Sequence, residues 1–310
     1  MTSGSAGEEP AFLAGCRVAI LGLGLMGGSL ALALRGHCRQ LLGSDPDPAA
    51  GELARQSRVV DVFSADPALI LAQSDLVILA APVRAILGLL AALPGLHPGR
   101  PVVLDLGSTK LRVIEAMQAL PSRFDPVGGH PMCGKEKGSL AAADGDLFNQ
   151  HVFAFTALER TSARARHLAE EVARTAGARS LWIDASTHDR WTAASSHLPY
   201  WLASALAGST PDEVAPLIGS GFASTSRVAA SPSGVMLDVL LTNPANLLEA
   251  VGRFRGRLDR MEACLRQGDE AGLLGLLEEG TQQRQRLVPD PASAESPQSG
   301  VTAQNSGELQ

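Results

Sequence analysis

Val18-Ala19-Ile20-Leu21-Gly22-Leu23-Gly24-Leu25-Met26-Gly27-Gly28-Ser29-Leu30 decides the fold. Its first four residues read as a buried parallel strand, the glycines as a tight turn, and the residues beyond as a helix. The spacing G-x-G-x-x-G falls on Gly22, Gly24 and Gly27. Gly22 makes the turn, Gly24 lets backbone approach a pyrophosphate, and Gly27 lets helix pack on strand. The N–H groups and positive dipole end of the new helix then face an anion. The spacing alone is weak evidence; its surroundings supply the rest. The motif follows a strand, opens an alanine- and leucine-rich helix, and leads to a second strand ending near Asp45. That carboxylate stands about 20 residues beyond the glycines, where a ribose 2′-hydroxyl is held. The other reading is that Asp45 merely opens the Asp45-Pro46-Asp47-Pro48 turn. Gly43-Ser44-Asp45-Pro46 contains no arginine, and a carboxylate there repels a 2′-phosphate, which favours NAD over NADP.

Outward from this stretch, short apolar segments alternate with helical ones, the pattern of an α/β, Rossmann-type doubly wound parallel sheet. Strands are expected at 17–21, 40–44, 76–80, 102–106, 152–156 and 181–183, with helices between them. Beyond Asp184 nearly everything reads as helix, starting from a capping box in Ser186-Thr187-His188-Asp189. The expected organisation is a disordered leader (1–13), a dinucleotide-binding domain (14–185), an all-helical substrate and dimerisation domain (186–288) and a disordered Ser/Pro/Gln-rich tail (289–310). Leu247, Leu248, Val251, Phe254, Leu258, Met261 and Leu265 recur at helical spacing. So large an apolar stripe predicts a homodimer.

Composition excludes several classes. The 310 residues are 45% hydrophobic, enough for two domains, and the formal charge of −6 argues against nucleic-acid and membrane-surface roles. The four cysteines form no C-x-x-C pair, so neither zinc nor a disulfide framework is suggested. The first ten residues lack the features of a signal peptide, and no apolar run approaches the ~20 residues of a membrane span. A soluble, cytoplasmic protein is expected.

Ligands in such sheets lie beyond the carboxyl ends of the strands. One candidate end is Ala80-Ala81-Pro82-Val83, whose loop is placed to line a cofactor. A second is Asp105-Leu106-Gly107-Ser108-Thr109-Lys110, where Ser108 or Thr109 could equally be a helix cap. Pro126-Val127-Gly128-Gly129-His130-Pro131-Met132-Cys133-Gly134-Lys135-Glu136-Lys137-Gly138 is dense in glycine and proline, which predicts a rigid loop. His130 on it is a candidate general base, against the alternative of a solvated loop histidine. His197 precedes Pro199, which is expected to kink or interrupt its helix, although a satisfied core histidine is the alternative. Gly219-Ser220-Gly221-Phe222-Ala223-Ser224-Thr225-Ser226-Arg227 reads as a small-residue loop whose arginine suits a carboxylate, or else a surface salt bridge.

Taken together, these motifs resemble the prephenate/arogenate dehydrogenases of tyrosine biosynthesis. The resemblance covers about residues 16–288 and rests on the glycine turn, Asp105–Lys110, Gly128-Gly129-His130-Pro131-Met132, Ser196-His197-Leu198-Pro199 and Ser220-Gly221-Phe222…Thr225-Ser226-Arg227. It implies NAD as cofactor, held by Gly22, Gly24, Leu25, Met26, Gly27, Asp45, Ala81, Pro82 and Ser108. It implies His130 as the catalytic histidine that accepts from the substrate's C4 hydroxyl, with Ser108 helping to hold that hydroxyl. It also implies Glu136, His197 and Arg227 as substrate contacts, a dimer built through the helical domain, and no metal. Lys135 departs from the family pattern, and a cation there is expected to bear on substrate choice.

The reaction implied is oxidative decarboxylation of prephenate to 4-hydroxyphenylpyruvate, or of arogenate directly to tyrosine. A β-hydroxyacid or imine-type dehydrogenase would join similar domains, but no lysine follows Lys137 to serve as its catalytic lysine. A non-catalytic NAD sensor would leave His130, His197 and Arg227 unexplained.

Overall fold

The computed structural model describes residues 12–135 and 138–288. Contacts divide the chain between Ala250 and Val251, and each unit is described by itself.

The first unit is organised by one eight-stranded sheet in the order β3-β2-β1-β4-β5-β6-β7-β8. Its strands are β1 (Arg17–Leu21), β2 (Gln40–Ser44), β3 (Val62–Phe63), β4 (Leu76–Leu79), β5 (Val102–Asp105), β6 (Asp125–Pro131), β7 (Val152–Ala157) and β8 (Arg179–Trp182). All neighbours run parallel except β6 and β7. Helices α1 (Leu25–Leu34), α2 (Pro48–Gln56), α3 (Ala68–Leu71), α4 (Val83–Leu96), α5 (Leu111–Gln118) and α6 (Ala163–Thr175) connect the strands.

The pleat sorts each strand between two cores. Val18 and Ile20 of β1 join one cluster with Leu30 and Leu34, while Ala19 and Leu21 join another with Ile86 and Leu90. A sheet buried on both faces explains why its strands read as continuous apolar runs rather than alternating ones. The fold is a doubly wound α/β sheet followed by helices, as the sequence predicts.

The helical part of this unit holds α7 (Ala185–Thr192), α8 (Leu198–Ser209), α9 (Ser220–Ser226) and α10 (Ser233–Thr242). Helix α11 (Pro244–Gln267) runs from it into the second unit, where α12 (Glu270–Leu287) follows. In that unit Gly268 adopts φ +66° and Asp269 caps α12 by accepting from Gly272 N–H at 2.9 Å. Among the described residues, no helix is long and apolar enough to cross a membrane.

Three local expectations are corrected. The segment read as a rigid loop is a strand as far as Pro131, with His130 opposite Ala154 of β7. Glycine and proline argue against a strand locally, but pairing on both sides overrides that preference. Helix α7 begins at Ala185, capped by Asp184 accepting from Thr187 N–H, so Ser186 is inside the helix and not its cap. Residues 220–226, read as loop, form α9, followed by a 3-10 turn at Arg227–Ala230. Pro199 interrupts as expected: a π turn spans Ala193–His197 and the proline sits in the first turn of α8.

Candidate active site

The glycine turn has the close approaches its spacing predicts. Gly22 adopts φ +98°, and a Cβ there would meet Ala80 O at 2.3 Å. A Cβ on Gly27 would lie 1.9 Å from Gly22 O, so only glycine lets α1 start this close to β1. Gly24 is the N-cap of α1, and the strap through Gly138 crosses it, with Leu25 N–H donating to Gly138 O at 2.9 Å. Asp45 follows β2, with one carboxylate oxygen accepting from Leu23 N–H at 2.6 Å and the other from Asp47 N–H at 2.8 Å. These bonds tie Asp45 to the local turn and set its carboxylate beside the glycine turn.

From this turn a groove runs along Gly24, Leu25 and Met26, past Ala80, Ala81 and Pro82, to Gly107 and Ser108. A second cavity contains His130, Met132, Ser195, Ser196 and His197. The two share Ser108, Cys133, Val235, Met236 and Val239, so Ser108 stands on both. Burial pushes the Cys133 thiol up to about 11, leaving it protonated at neutral pH. The groove suits a dinucleotide: it starts at the glycine turn and the start of α1, and it shares Ser108 with the histidine cavity.

His130 is held by the ends of several elements. The parallel pairing of β5 with β6 stops at Leu104 opposite Val127. Beyond it, side chains replace the missing backbone partner. Asp105 Oδ1 accepts from Gly129 N–H at 3.0 Å, and Lys110 Nζ donates to Gly129 O at 2.6 Å. Lys110 and Asp105 are fully buried and paired with one another. Burial lowers the Lys110 pKa, and the Asp105 charge opposes that shift. A Cβ on Gly129 would sit 2.6 Å from Asp105 O, so glycine is needed for this approach.

His130 Nδ1 lies 2.9 Å from His188 Nε2, and His188 Nδ1 lies 2.8 Å from Asp189 Oδ1. Asp189 also accepts from Lys110 N–H at 2.6 Å and Leu111 N–H at 2.9 Å, which caps α5 from another helix. Burial, then the neighbouring His188, Lys110 and His197, hold the His130 pKa well below its ordinary value, so the ring is neutral. His197 is buried, and desolvation pushes it down to about 4 against the pull of Asp189. Asn243 Nδ2 donates to Asp189 O at 2.7 Å and faces His197 Nδ1 at 3.4 Å. With Nδ1 accepting, His197 presents Nε2–H as a donor. One cavity thus brings together two neutral histidines and a serine hydroxyl.

The other candidates fall elsewhere. Lys135 is exposed, pairs with Asp144 at 2.9 Å, and lines the dinucleotide groove instead of the His130 cavity. Arg227 is exposed and is not among the residues lining either cavity. Glu136 lies outside the described residues. Sequence reasoning missed His188, Asp189, Lys110 and Asn243; the one available signal was a His-Asp pair on a helix facing a glycine-flanked histidine.

Fold and cavities are those of a dehydrogenase with an NAD-binding Rossmann domain. The comparisons narrow the class. Residues 30–182 match the nucleotide-binding domain of prephenate dehydrogenase, and residues 184–279 match its dimerization domain. Prephenate dehydrogenase of Lactococcus lactis subsp. cremoris is 31% identical, over 87% of this chain and 77% of that protein. The Bacillus subtilis prephenate dehydrogenase is 30% identical, over 83% of this chain and 72% of that protein. The crystal structure of the Aquifex aeolicus enzyme in complex with hydroxyphenyl propionate and NAD+ superposes with a TM-score of 0.80 at 27% identity, covering 88% and 98% of the two chains. This chain belongs to the prephenate dehydrogenase family.

Proposed function

We propose that the protein catalyses NAD-dependent oxidative decarboxylation of prephenate to 4-hydroxyphenylpyruvate in the cytoplasm, as a homodimer. Residues 14–185 hold the cofactor, and residues 186–288 supply the helical substrate and dimer domain. The observation that carries this reading is a neutral His130 in a cavity that joins the dinucleotide groove at Ser108.

The chain's residues divide the work as follows. His130 Nε2 accepts the proton of the substrate's C4 hydroxyl, and Ser108 holds that oxygen. NAD, when bound, supplies the hydride acceptor for C4. Once C4 is a ketone, the ring C–COO⁻ bond breaks; its electron pair enters the ring, CO₂ leaves, and the oxygen at C4 regains a proton as a phenol. Aromatisation drives this second stage, so placing the two reactants and removing one proton account for most of the protein's contribution. His197 Nε2–H, Arg227 and Glu136 are assigned to the substrate's polar groups, and Asp45 to the ribose. Exposed Trp191, Trp201 and Leu217 in the first unit, and Leu265 in the second, supply apolar surface for a partner copy.

The test is NADH formation by purified protein with NAD and either prephenate or arogenate. Reduction with prephenate supports the proposal, whereas reduction with arogenate alone keeps the chemistry and moves the product to tyrosine. No reduction with either overturns it. His130→Asn is expected to retain NAD binding while turnover falls about 10²–10⁴-fold; normal turnover removes His130 from the mechanism. Light scattering reads the dimer.

A further inference from the structure

The chain of contacts from Asp189 to His130 determines which nitrogen of His130 is free. Asp189 is fully buried, and its carboxylate accepts two backbone N–H groups at the start of α5, where the helix dipole favours an anion. A carboxylate only accepts, so the 2.8 Å contact with His188 requires a hydrogen on His188 Nδ1. Neutral His188 then has a bare Nε2. The single hydrogen in its 2.9 Å contact with His130 belongs to His130 Nδ1. His130 Nε2 is consequently bare and able to act as a base. With the hydrogens reversed along this path, His130 Nδ1 would accept from His188 and Nε2–H could accept nothing from a substrate.

We propose that His188 and Asp189 are a positioning pair that holds His130 in its Nδ1–H form and takes up positive charge during turnover. This rests on the reading of His130 as the base. The substrate O–H bond breaks as His130 Nε2–H forms, and the His130 Nδ1–H bond breaks as His188 Nε2–H forms. His130 ends neutral, and the charge resides on His188 against the Asp189 carboxylate. The groups around His130 explain why it moves. His130 faces Lys110 from the start of α5 and His197 from the turn before α8, and among the described residues no carboxylate bonds to it directly, whereas His188 touches one. As CO₂ leaves, the same path runs backwards and His130 Nε2 returns its proton to the C4 oxygen, which gives the phenol.

Two variants separate the parts. His188→Gln can still accept from His130 Nδ1–H but cannot take a proton; kcat is expected to fall about 10–100-fold with KM within about threefold. Asp189→Asn keeps an oxygen toward His188 Nδ1, because the same Oδ1 accepts from Lys110 N–H, but removes the charge that holds protonated His188, so kcat is expected to fall about 10²–10⁴-fold at neutral pH. Nitrogen-15 histidine NMR of the full chain, assigned with His130→Asn, reads the hydrogen positions without turnover. The expected result is Nδ1–H on His130 both in the wild type and in Asp189→Asn, so that loss of kcat in the variant reports the charge alone. A wild-type His130 carrying Nε2–H, or Asp189→Asn turning over within about threefold of wild type, overturns the proposal. If Asp189→Asn fails to melt cooperatively, His188→Gln decides, and wild-type kcat there overturns it. Wild-type inactivity on both substrates would instead sink the functional reading, while the NMR result still tests the pair.

Discussion

Replacing Lys110 with methionine tests what holds β6 in place. The lysine is fully buried, and its Nζ serves Asp105 and Gly129 O. Methionine fills similar volume but supplies neither charge nor donor. Asp105 keeps its bonds from Gly107 N–H at 2.8 Å and Gly129 N–H at 3.0 Å, yet its charge is left uncompensated in the core. Breaking a buried pair from one side costs about 3–5 kcal/mol. For a chain of this size that corresponds to a melting temperature roughly 5–8 °C lower. The pair itself contributes little net stability, since burial of Lys110 opposes its charge, so most of the loss comes from the orphaned carboxylate. Adding Asp105→Asn removes that charge while leaving one oxygen to accept, and is expected to recover more than half of the loss. The assay is thermal melting by circular dichroism for wild type, Lys110→Met, Asp105→Asn and the double variant. A Lys110→Met melting point within about 2 °C of wild type, or strictly additive losses, refutes the reasoning.

Other consequences follow from single contacts. Gly27→Ala places a Cβ 1.9 Å from Gly22 O and 2.9 Å from Ala80 Cβ, forcing α1 off the turn; stability should drop about 1–3 kcal/mol and NAD titration should show at least tenfold weaker binding. Asp45→Ala removes the acceptor for Leu23 N–H and the carboxylate proposed to hold the ribose, so KM for NAD should rise about tenfold and the NAD-to-NADP preference should shrink; an unchanged preference ratio would contradict the assignment. His197 has its folded-state pKa depressed from 6.5 to about 4, so the unfolded chain binds more protons in that interval. Its contribution is present above pH 6.5 and is lost as pH falls toward 4, by at most about 3 kcal/mol. His197→Asn should make the fall of stability with acid shallower in urea titrations, and parallel curves would show that His197 is not buried neutral.

The first half of the fold was legible because its signals are local. An apolar strand, a glycine turn and an amphipathic or apolar helix are each written within a few residues, and β1, β2 and α1 fall where those signals put them. Strand β6 was not legible. Pro126, Gly128 and Gly129 have poor strand propensity, and they are extended because β5 and β7 pair with them from outside their own window. The same non-locality hid half of the candidate site. His188 and Asp189 look like a capping pair in sequence, but their partners, His130 and Lys110, lie 58 and 79 positions away.

What was hidden has one physical origin. At the sheet's carboxyl edge three elements run out of backbone partners together: β5 ends at Asp105, β6 continues past it, and α5 begins without a side-chain cap of its own. The orphaned groups of Gly129 and Lys110 there are buried, so each had to be answered by a side chain. Asp105 and Lys110 answer Gly129, and Asp189 answers the first N–H groups of α5. Asp189 can do so only by bringing α7 against the sheet, and α7 carries His188 to within hydrogen-bonding distance of His130. The groups that complete the fold at this edge are therefore the groups that orient the candidate base. For that reason Lys110→Met should disturb His130 geometry as well as melting temperature, and its kcat should fall further than its NAD affinity does.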